Sequence, residues 1–404
     1  MKNLVTFKRL PFYIVLLIVA FLPFNFFLGP SILLLFLAIL SCQSIKQTLY
    51  NLRHNKLFIL FTFCYIIYLL GMMWTENQAF GKRDLEYKLS LLFLPIFLSA
   101  LNRLEKKNFL LITKVFIVSC IVAAISSFII SYSNNSFSYI PTYIELSIFM
   151  HPSYFSTYIN LGLVFLFNLL RFNQDTSEKK ILIFALVIFF IGFNLLLNSK
   201  IGTITTVLLV LIFLIQSLRP FKKKSALLFI SFFIAVLVIL FSQVDTIKSR
   251  FQSISNIFTT ENIPKDSKES SRLRVLIWQE VFEILEEQPL LGVGTGDTKD
   301  ELVKSYKKNG ITYAYNNRLN AHNQYLEWLL TFGIIGTLIW LISFLVPMLF
   351  ASRIKNQLYL FFCLIVLMVF LAESFLEREY GVVFFAFFNS LLFFHAPVEK
   401  EFSE

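Results

Sequence analysis

Apolar runs of about 17–25 residues recur from one end of the chain to the other, each long enough to cross roughly 30 Å of hydrocarbon. No other feature restricts the fold as strongly. Inside a bilayer every backbone N–H and C=O must be satisfied within the protein, so such runs fold as helices. The sequence predicts an all-α polytopic membrane protein with about twelve transmembrane helices, near 11–28, 30–44, 57–74, 88–101, 109–131, 148–170, 181–198, 201–218, 225–243, 322–350, 357–375 and 380–396. Composition agrees. Of the 404 residues 57% are hydrophobic, with mean hydropathy +0.70, against roughly 45–50% apolar in soluble chains. The 49 phenylalanines are expected as lipid-facing and helix-packing filler.

Net charge is +11. In a soluble chain that balance points to nucleic acid; in a membrane protein it points to positive-inside loops, and position separates the two. One set of alternate loops carries Lys2, Lys8 and Arg9, then Lys46, Arg53 and Lys56, Arg103, Lys106 and Lys107, Arg171, Lys179 and Lys180, Arg219 and Lys222 to Lys224, Arg353 and Lys355, and Lys400. The opposite short loops carry Lys82, Arg83, Lys88, Lys200 and Arg378. The bias predicts both termini cytoplasmic and sets nucleic acid aside. Residues 1–243 then hold helices one to nine, 244–321 form one large extracytoplasmic loop, and 322–404 hold the last three helices and a short cytoplasmic tail. Lys200, His322 and the Glu373/Arg378 turn fall on the extracytoplasmic face, with His151 near it, and ionisable groups held at membrane depth are functional candidates.

Cys42, Cys64, Cys120 and Cys363 sit far apart inside apolar runs, so neither a metal site nor a disulfide framework is expected. The basic N-terminus followed by a long apolar run, with Pro23 and no small-residue cleavage site, is expected to be a retained signal anchor.

Within the loop, RLRVLIWQEVFEILEEQ (Arg272 to Gln288) places Leu273, Leu276, Ile277, Val281, Ile284 and Leu285 at helical spacing. It is an amphipathic helix lying on the membrane or packed on the bundle. Its arginines stand at the start and its glutamates at the end, the reverse of what the helix dipole favours, which suits an anion such as phosphate. PLLGVGTGD (Pro289 to Asp297) lacks the βαβ frame of a dinucleotide site; a tight turn with Asp297 as N-cap of a helix near 298–308 is favoured over an anion nest. Tyr306, Tyr313 and Tyr315 suit either sugar rings or a membrane interface.

Arg274-x-x-x-Trp278, Pro289-Leu-Leu-Gly-x-Gly and His322-Asn323 opening a span with Gly333-x-x-Gly336 together resemble the O-antigen ligase and polymerase superfamily. The resemblance implies a glycosyltransferase, without metal or other cofactor, moving a glycan from a polyprenyl-diphosphate carrier to a hydroxyl acceptor. The acceptor is the lipid A–core in a ligase and a second lipid-linked repeat in a polymerase. It also implies the extracytoplasmic face of a bacterial inner membrane, with membrane lipids as surroundings. Carried onto this chain, the loop arginine is Arg274, with Arg272 beside it, and the histidine is His322. The basic position of a Ser-Arg-Gly-like turn is Lys200, in Asn198-Ser-Lys-Ile-Gly202, which keeps the charge and loses the planar fork. His322 suits removal of the acceptor proton, and the cations suit the leaving diphosphate.

His151-Pro152, opening HPSYFSTY with Tyr154, either lines the acceptor cavity or kinks its helix. Glu373 and Arg378 either pair with each other across the last hairpin or touch sugar hydroxyls. Asn323 joins the substrate-binding candidates, and Glu327 either orients the His322 region or bonds a neighbouring helix. A transporter or flippase is the rival class, but no internal repeat relates the two halves. A helical scaffold or channel is a third alternative.

Overall fold

The computed structural model describes residues 10–24, 32–37, 39, 43–136, 139–172, 177–217, 264–266 and 268–397, and these are helical with no strand among them. The membrane half runs through α1 (Leu10–Phe21), α2 (Ile45–His54), α3 (Phe58–Gly71), α4 (Gln78–Lys88), α5 (Ser90–Ala100), α6 (Lys106–Asn134), α7 (Pro152–Phe172), α8 (Ser177–Leu197) and α9 (Lys200–Ser217). The loop contributes α10 (Ser270–Glu287), α11 (Thr298–Asn309) and α12 (Thr312–Asn317). The chain then closes with α13 (Gln324–Arg353), α14 (Gln357–Phe370) and α15 (Glu379–His395).

Among the described residues, five helices (α6, α7, α8, α9 and α13) are long and apolar enough to cross a membrane, or six if α2 and α3 count as one span bent by 89°. The expected twelve are not reached by this measure. Expected spans are broken or shortened: α5 carries Pro95, and α1, α14 and α15 are apolar but short. The expected span at 225–243, residues 30, 31, 38 and 40–42 of the expected span at 30–44 (Cys42 among them), the N-terminal lysines, Lys222 to Lys224 and Lys400 lie outside the described residues.

The bend between α2 and α3 has a local cause. The carbonyls at the end of α5 have no helical partner. Asn51 Nδ2 and Gln43 Nε2 donate to Ala100 O at 2.8 Å each, and Asn55 Nδ2 donates to Ser99 O at 2.7 Å. The polar α2 therefore lies across the end of α5 instead of continuing the span.

Most apolar side chains pack into one core around Trp328, Trp340, Phe332 and Phe370, with Trp328 and Trp340 ring centroids 3.6 Å apart. Between α7, α8 and α9 a buried polar set (Ser156, Asn160, Asn194 and Thr206) closes on itself by hydrogen bonds of 2.5–3.0 Å. Such bonds hold helices together where lipid supplies little drive for apolar association. A second, smaller core joins Leu273, Leu276, Ile277 and Val281 of α10 to Leu302 and Tyr306 of α11 and to Leu326 and Leu330 of α13. The amphipathic loop helix is thus packed on the bundle.

Two glycine motifs turn out to be one junction. α13 leaves helical geometry at Gly333 (φ 61°, ψ −164°), freeing backbone groups that a membrane cannot satisfy. The segment 289–294 takes them up. Val293 and Gly294 donate to Leu330 O and Thr331 O (2.9 and 3.0 Å), while Ile334 and Ile335 donate to Pro289 O and Leu290 O (2.9 and 3.2 Å). At Gly292 (φ +67°) a Cβ would stand 2.5 Å from Gly333 N, and at Gly333 (φ +61°) 2.5 Å from Leu291 N. Left-handed backbone and close approach both demand glycine here.

Beyond the junction Thr295 Oγ1 donates to Tyr68 O at 2.7 Å. Asp297 precedes α11 as expected but does not cap it. Its carboxylate instead accepts the N–H groups of Glu76 and Asn77, 2.7 Å each, pinning the start of α4. With its N–H groups used in this way, the glycine segment acts as a structural staple rather than an anion nest.

Candidate active site

Where α4, the start of α7, the loop helices and the turn after α14 meet, they enclose a cavity of about 300 Å³. His151, Tyr154, His322, Glu373 and Arg378 line it, as do Glu327, Glu377, Asp84, Arg83, Lys299 and Arg318. Five of the expected site residues therefore converge from segments far apart in sequence.

His322 is the most constrained of them. Its φ is +49°, a left-handed conformation uncommon outside glycine that costs energy unless the surroundings impose it. The residue before it is clamped on both sides: Ala321 N donates to Glu327 Oε2 at 3.1 Å, and Ala321 O accepts from Trp278 Nε1 at 2.9 Å. Asn320 Oδ1 accepts the His322 N–H at 3.3 Å. On the other side Asn323 is the N-cap of α13, its Oδ1 accepting from Tyr325 and Leu326 and its Nδ2 donating to Leu371 O. Asn323 is buried and does not line the cavity, so its part is to aim the helix. Glu327 bonds Ser374 Oγ at 2.8 Å as well as Ala321, so it both orients the His322 segment and ties it to the turn after α14.

That turn supplies Glu373, which is buried. Its Oε2 lies 3.5 Å from His322 Nδ1 and its Oε1 3.3 Å from Arg274 Nη2. Burial alone would raise this carboxyl, but the His322 ring beside it and the Arg274 charge outweigh burial and hold it at about 2. Glu373 does not pair with Arg378, the ion pair foreseen as one alternative; Arg274 and His322 stand nearer its carboxylate. Burial pushes His151 below the usual histidine value; Glu373 opposes this, while His322, Arg274 and Arg378 reinforce it.

Arg274 touches the cavity only through Glu373. Arg272 faces Glu269 at 3.8 Å, so the charges at the start of α10 are engaged by carboxylates instead of standing open to an anion. Arg274 and Trp278, one helical turn apart, reach Glu373 and Ala321 O, the two neighbours between which His322 is held. Lys200 opens α9 beside the start of α7, where Ser199 Oγ donates to Ser153 Oγ at 3.3 Å, but it does not line the cavity. Pro152 begins α7 and so puts no kink in it. Tyr154 is buried, its hydroxyl donating to Ser374 O at 3.2 Å and its ring 4.7 Å from Phe375.

Part of the site was not foreseen. Lys88, counted as a loop charge, is fully buried. Its Nζ stands 2.5 Å from Asp84 and 3.1 Å from Glu377, and 4.4 Å from the Tyr68 ring centroid. The Asp84–Lys88 spacing, one helical turn, was the available signal; nothing in the sequence marked Glu377. Arg83, Lys299 and Arg318 carried no signal either. No group of three His, Cys, Asp or Glu among the described residues is placed to hold a metal ion.

Residues 183–341 match the O-antigen ligase family, Wzy_C. The match spans Lys200, Arg272, Arg274, His322 and Asn323 and ends before Glu373. The chain is also 25% identical to the ComP-specific O-oligosaccharyltransferase of Acinetobacter baylyi over 361 residues, 84% of this chain. It spans only 62% of the length of that relative. Both matches support a likeness of this chain to the O-antigen ligase superfamily, and the family match covers the motif residues Arg274, Trp278, His322 and Asn323.

Proposed function

We propose that the chain transfers a glycan from a polyprenyl-diphosphate carrier to a hydroxyl of the lipid A–core, at the periplasmic face of the bacterial inner membrane. One observation carries this reading: a buried carboxylate bridges an arginine and a backbone-constrained histidine at the wall of a cavity.

Glu373 Oε2 faces Nδ1 of His322 at 3.5 Å and favours the ring proton on that side, which leaves the Nε2 lone pair to take the acceptor proton. The acceptor oxygen attacks the anomeric carbon, and the bond to the diphosphate breaks with its electron pair leaving on the phosphate oxygen. Glu373 stays ionised and stabilises the imidazolium that forms. Arg274 holds Glu373 in place and offsets the cost of burying it. The reading requires no metal ion.

The relative's name favours a second acceptor reading. It is an O-oligosaccharyltransferase specific for ComP, so an acceptor other than the lipid A–core fits the same chemistry.

The test is a transfer assay with purified chain in lipid nanodiscs, a labelled polyprenyl-diphosphate glycan, and EDTA present. Label arriving on lipid A–core supports the ligase reading. Label arriving only on a second lipid-linked glycan makes the chain a polymerase. Label that never leaves the carrier, whatever hydroxyl acceptor is offered, rules out the transferase.

A further inference from the structure

The cavity wall carries carboxylates and cations in comparable numbers, but they are not equally engaged. Every carboxylate on it has a protein partner. Asp84 and Glu377 hold Lys88, Glu373 holds Arg274 and faces His322, and Glu327 accepts from Ala321 N and Ser374 Oγ. Among the cations, Arg318 is engaged by Asp300 at 2.8 Å. Arg83 of α4, Lys299 in the first turn of α11 and Arg378 before α15 line the cavity without an ion pair or side-chain hydrogen bond to any described residue.

Three elements thus deliver three uncommitted cations to the wall that also holds His322. Arg83 and Arg378 are exposed and Lys299 half-buried, so a ligand in the cavity can reach them without a rearrangement of the core. The two basic residues carried over by resemblance stand differently: Arg274 is engaged by Glu373, and Lys200 is not on the wall.

We propose that Arg83, Lys299 and Arg378 form the diphosphate cradle of the site. This rests on the transferase reading. A glycosyl prenyl diphosphate carries about two negative charges, and the departing prenyl diphosphate about three once the glycosyl bond has broken. Three cations therefore match the leaving group better than the bound donor, the imbalance that lowers a barrier instead of merely tightening binding. The two arginines offer planar forks to phosphate oxygens, and the lysine adds a point charge. His322 on the same wall remains for the acceptor.

Binding can be measured without turnover, which separates this proposal from the transferase reading. The full chain in phosphatidylcholine nanodiscs is titrated calorimetrically with inorganic pyrophosphate. A second arm uses a prenyl diphosphate placed in the nanodisc, and a third replaces part of the lipid with phosphatidylglycerol. Arg83→Gln, Lys299→Gln and Arg378→Gln are each expected to weaken pyrophosphate and prenyl diphosphate binding about tenfold or more. Lys82→Gln, next to Arg83 but off the cavity wall, should bind as wild type. Thermal melts confirm that each variant is folded, and Arg83→Lys should recover part of the loss. The proposal is overturned if wild type does not bind pyrophosphate, if the three variants bind as wild type, or if the loss follows Lys200→Gln or Arg274→Gln instead. Phosphatidylglycerol displacing pyrophosphate as well as the prenyl diphosphate does would likewise overturn it, because the site would then be a general lipid-phosphate surface. The turnover of His322→Ala, read separately, decides the transferase reading whatever the titration gives.

Discussion

Glu373 and His322 face each other across 3.5 Å, carboxylate Oε2 to imidazole Nδ1, from the far ends of a helical hairpin: His322 precedes α13 and Glu373 follows α14. Whatever holds that hairpin in register therefore sets the distance on which the proposed proton transfer depends. Glu327, bonding Ala321 before α13 and Ser374 after α14, is the register pin.

Replacing the carboxylate with an amide tests its electrostatic part. Glu373→Gln keeps the shape, loses the charge and frees the imidazole tautomer, and should cost about 10²-fold or more in rate, as in other carboxylate–histidine pairs. A pH effect on stability should accompany it. The folded-state value of about 2 lies below the ordinary 4.5, so the Glu373 contribution is complete above about pH 4.5 and is lost as pH falls through about 2. Wild-type melting temperature in detergent should decline across that window. In Glu373→Gln that component of the decline should vanish; an unchanged decline would mean that Glu373 is not the titrating group.

Trp278→Phe tests the clamp on His322 from the other direction. Packing is largely kept while Ala321 O loses its donor, an unmade bond worth about 1–3 kcal/mol when buried. With His322 less firmly held in its left-handed conformation, kcat should fall roughly tenfold with KM for donor little changed. Loss of binding with kcat intact would contradict the clamp.

The junction between Gly292 and Gly333 makes a stability prediction. Gly333→Ala places a Cβ at positive φ against the backbone of Leu290 and Leu291, so the chain should fail to accumulate in membranes. Gly292→Ala should do nearly as badly. Gly192, with nothing within 4 Å of a built Cβ, is the control, and Gly192→Ala should accumulate normally. Quantitative immunoblots of membrane fractions measure all three.

How much of this was legible in the sequence follows from the range of each interaction. The amphipathic α10, the site arginine and histidine, and the glycine motifs were visible because each is local: a helical period, a motif spacing, a turn. The pairing of Glu373 with Arg274 and His322 was not, because it joins three segments through tertiary contact, and a lone glutamate in a hairpin turn carries no mark of its partner. Asp297 misled for the same reason. Its position before a helix is that of a cap, yet its carboxylate found stronger work with the N–H groups of Glu76 and Asn77. The bend at Asn55 and the break at Gly333 left no mark in the apolar runs. Hydropathy sees apolar composition and is blind to where a helix turns.

Orientation is tested independently. A topology reporter fused near Lys265 should register as extracytoplasmic, and one at Lys355, in the exposed turn between α13 and α14, as cytoplasmic. The reverse pattern would put the cavity on the side away from the proposed donor.

The most direct measurement is the initial rate of glycan transfer against donor concentration for wild type and His322→Ala, at matched membrane levels and across pH 5 to 9. If His322 removes the acceptor proton, His322→Ala should lose roughly 10²–10⁴-fold in kcat, with donor KM little changed. A variant that keeps near-normal turnover, or loses activity only because the protein is missing from the membrane, would show that His322 merely starts a helix.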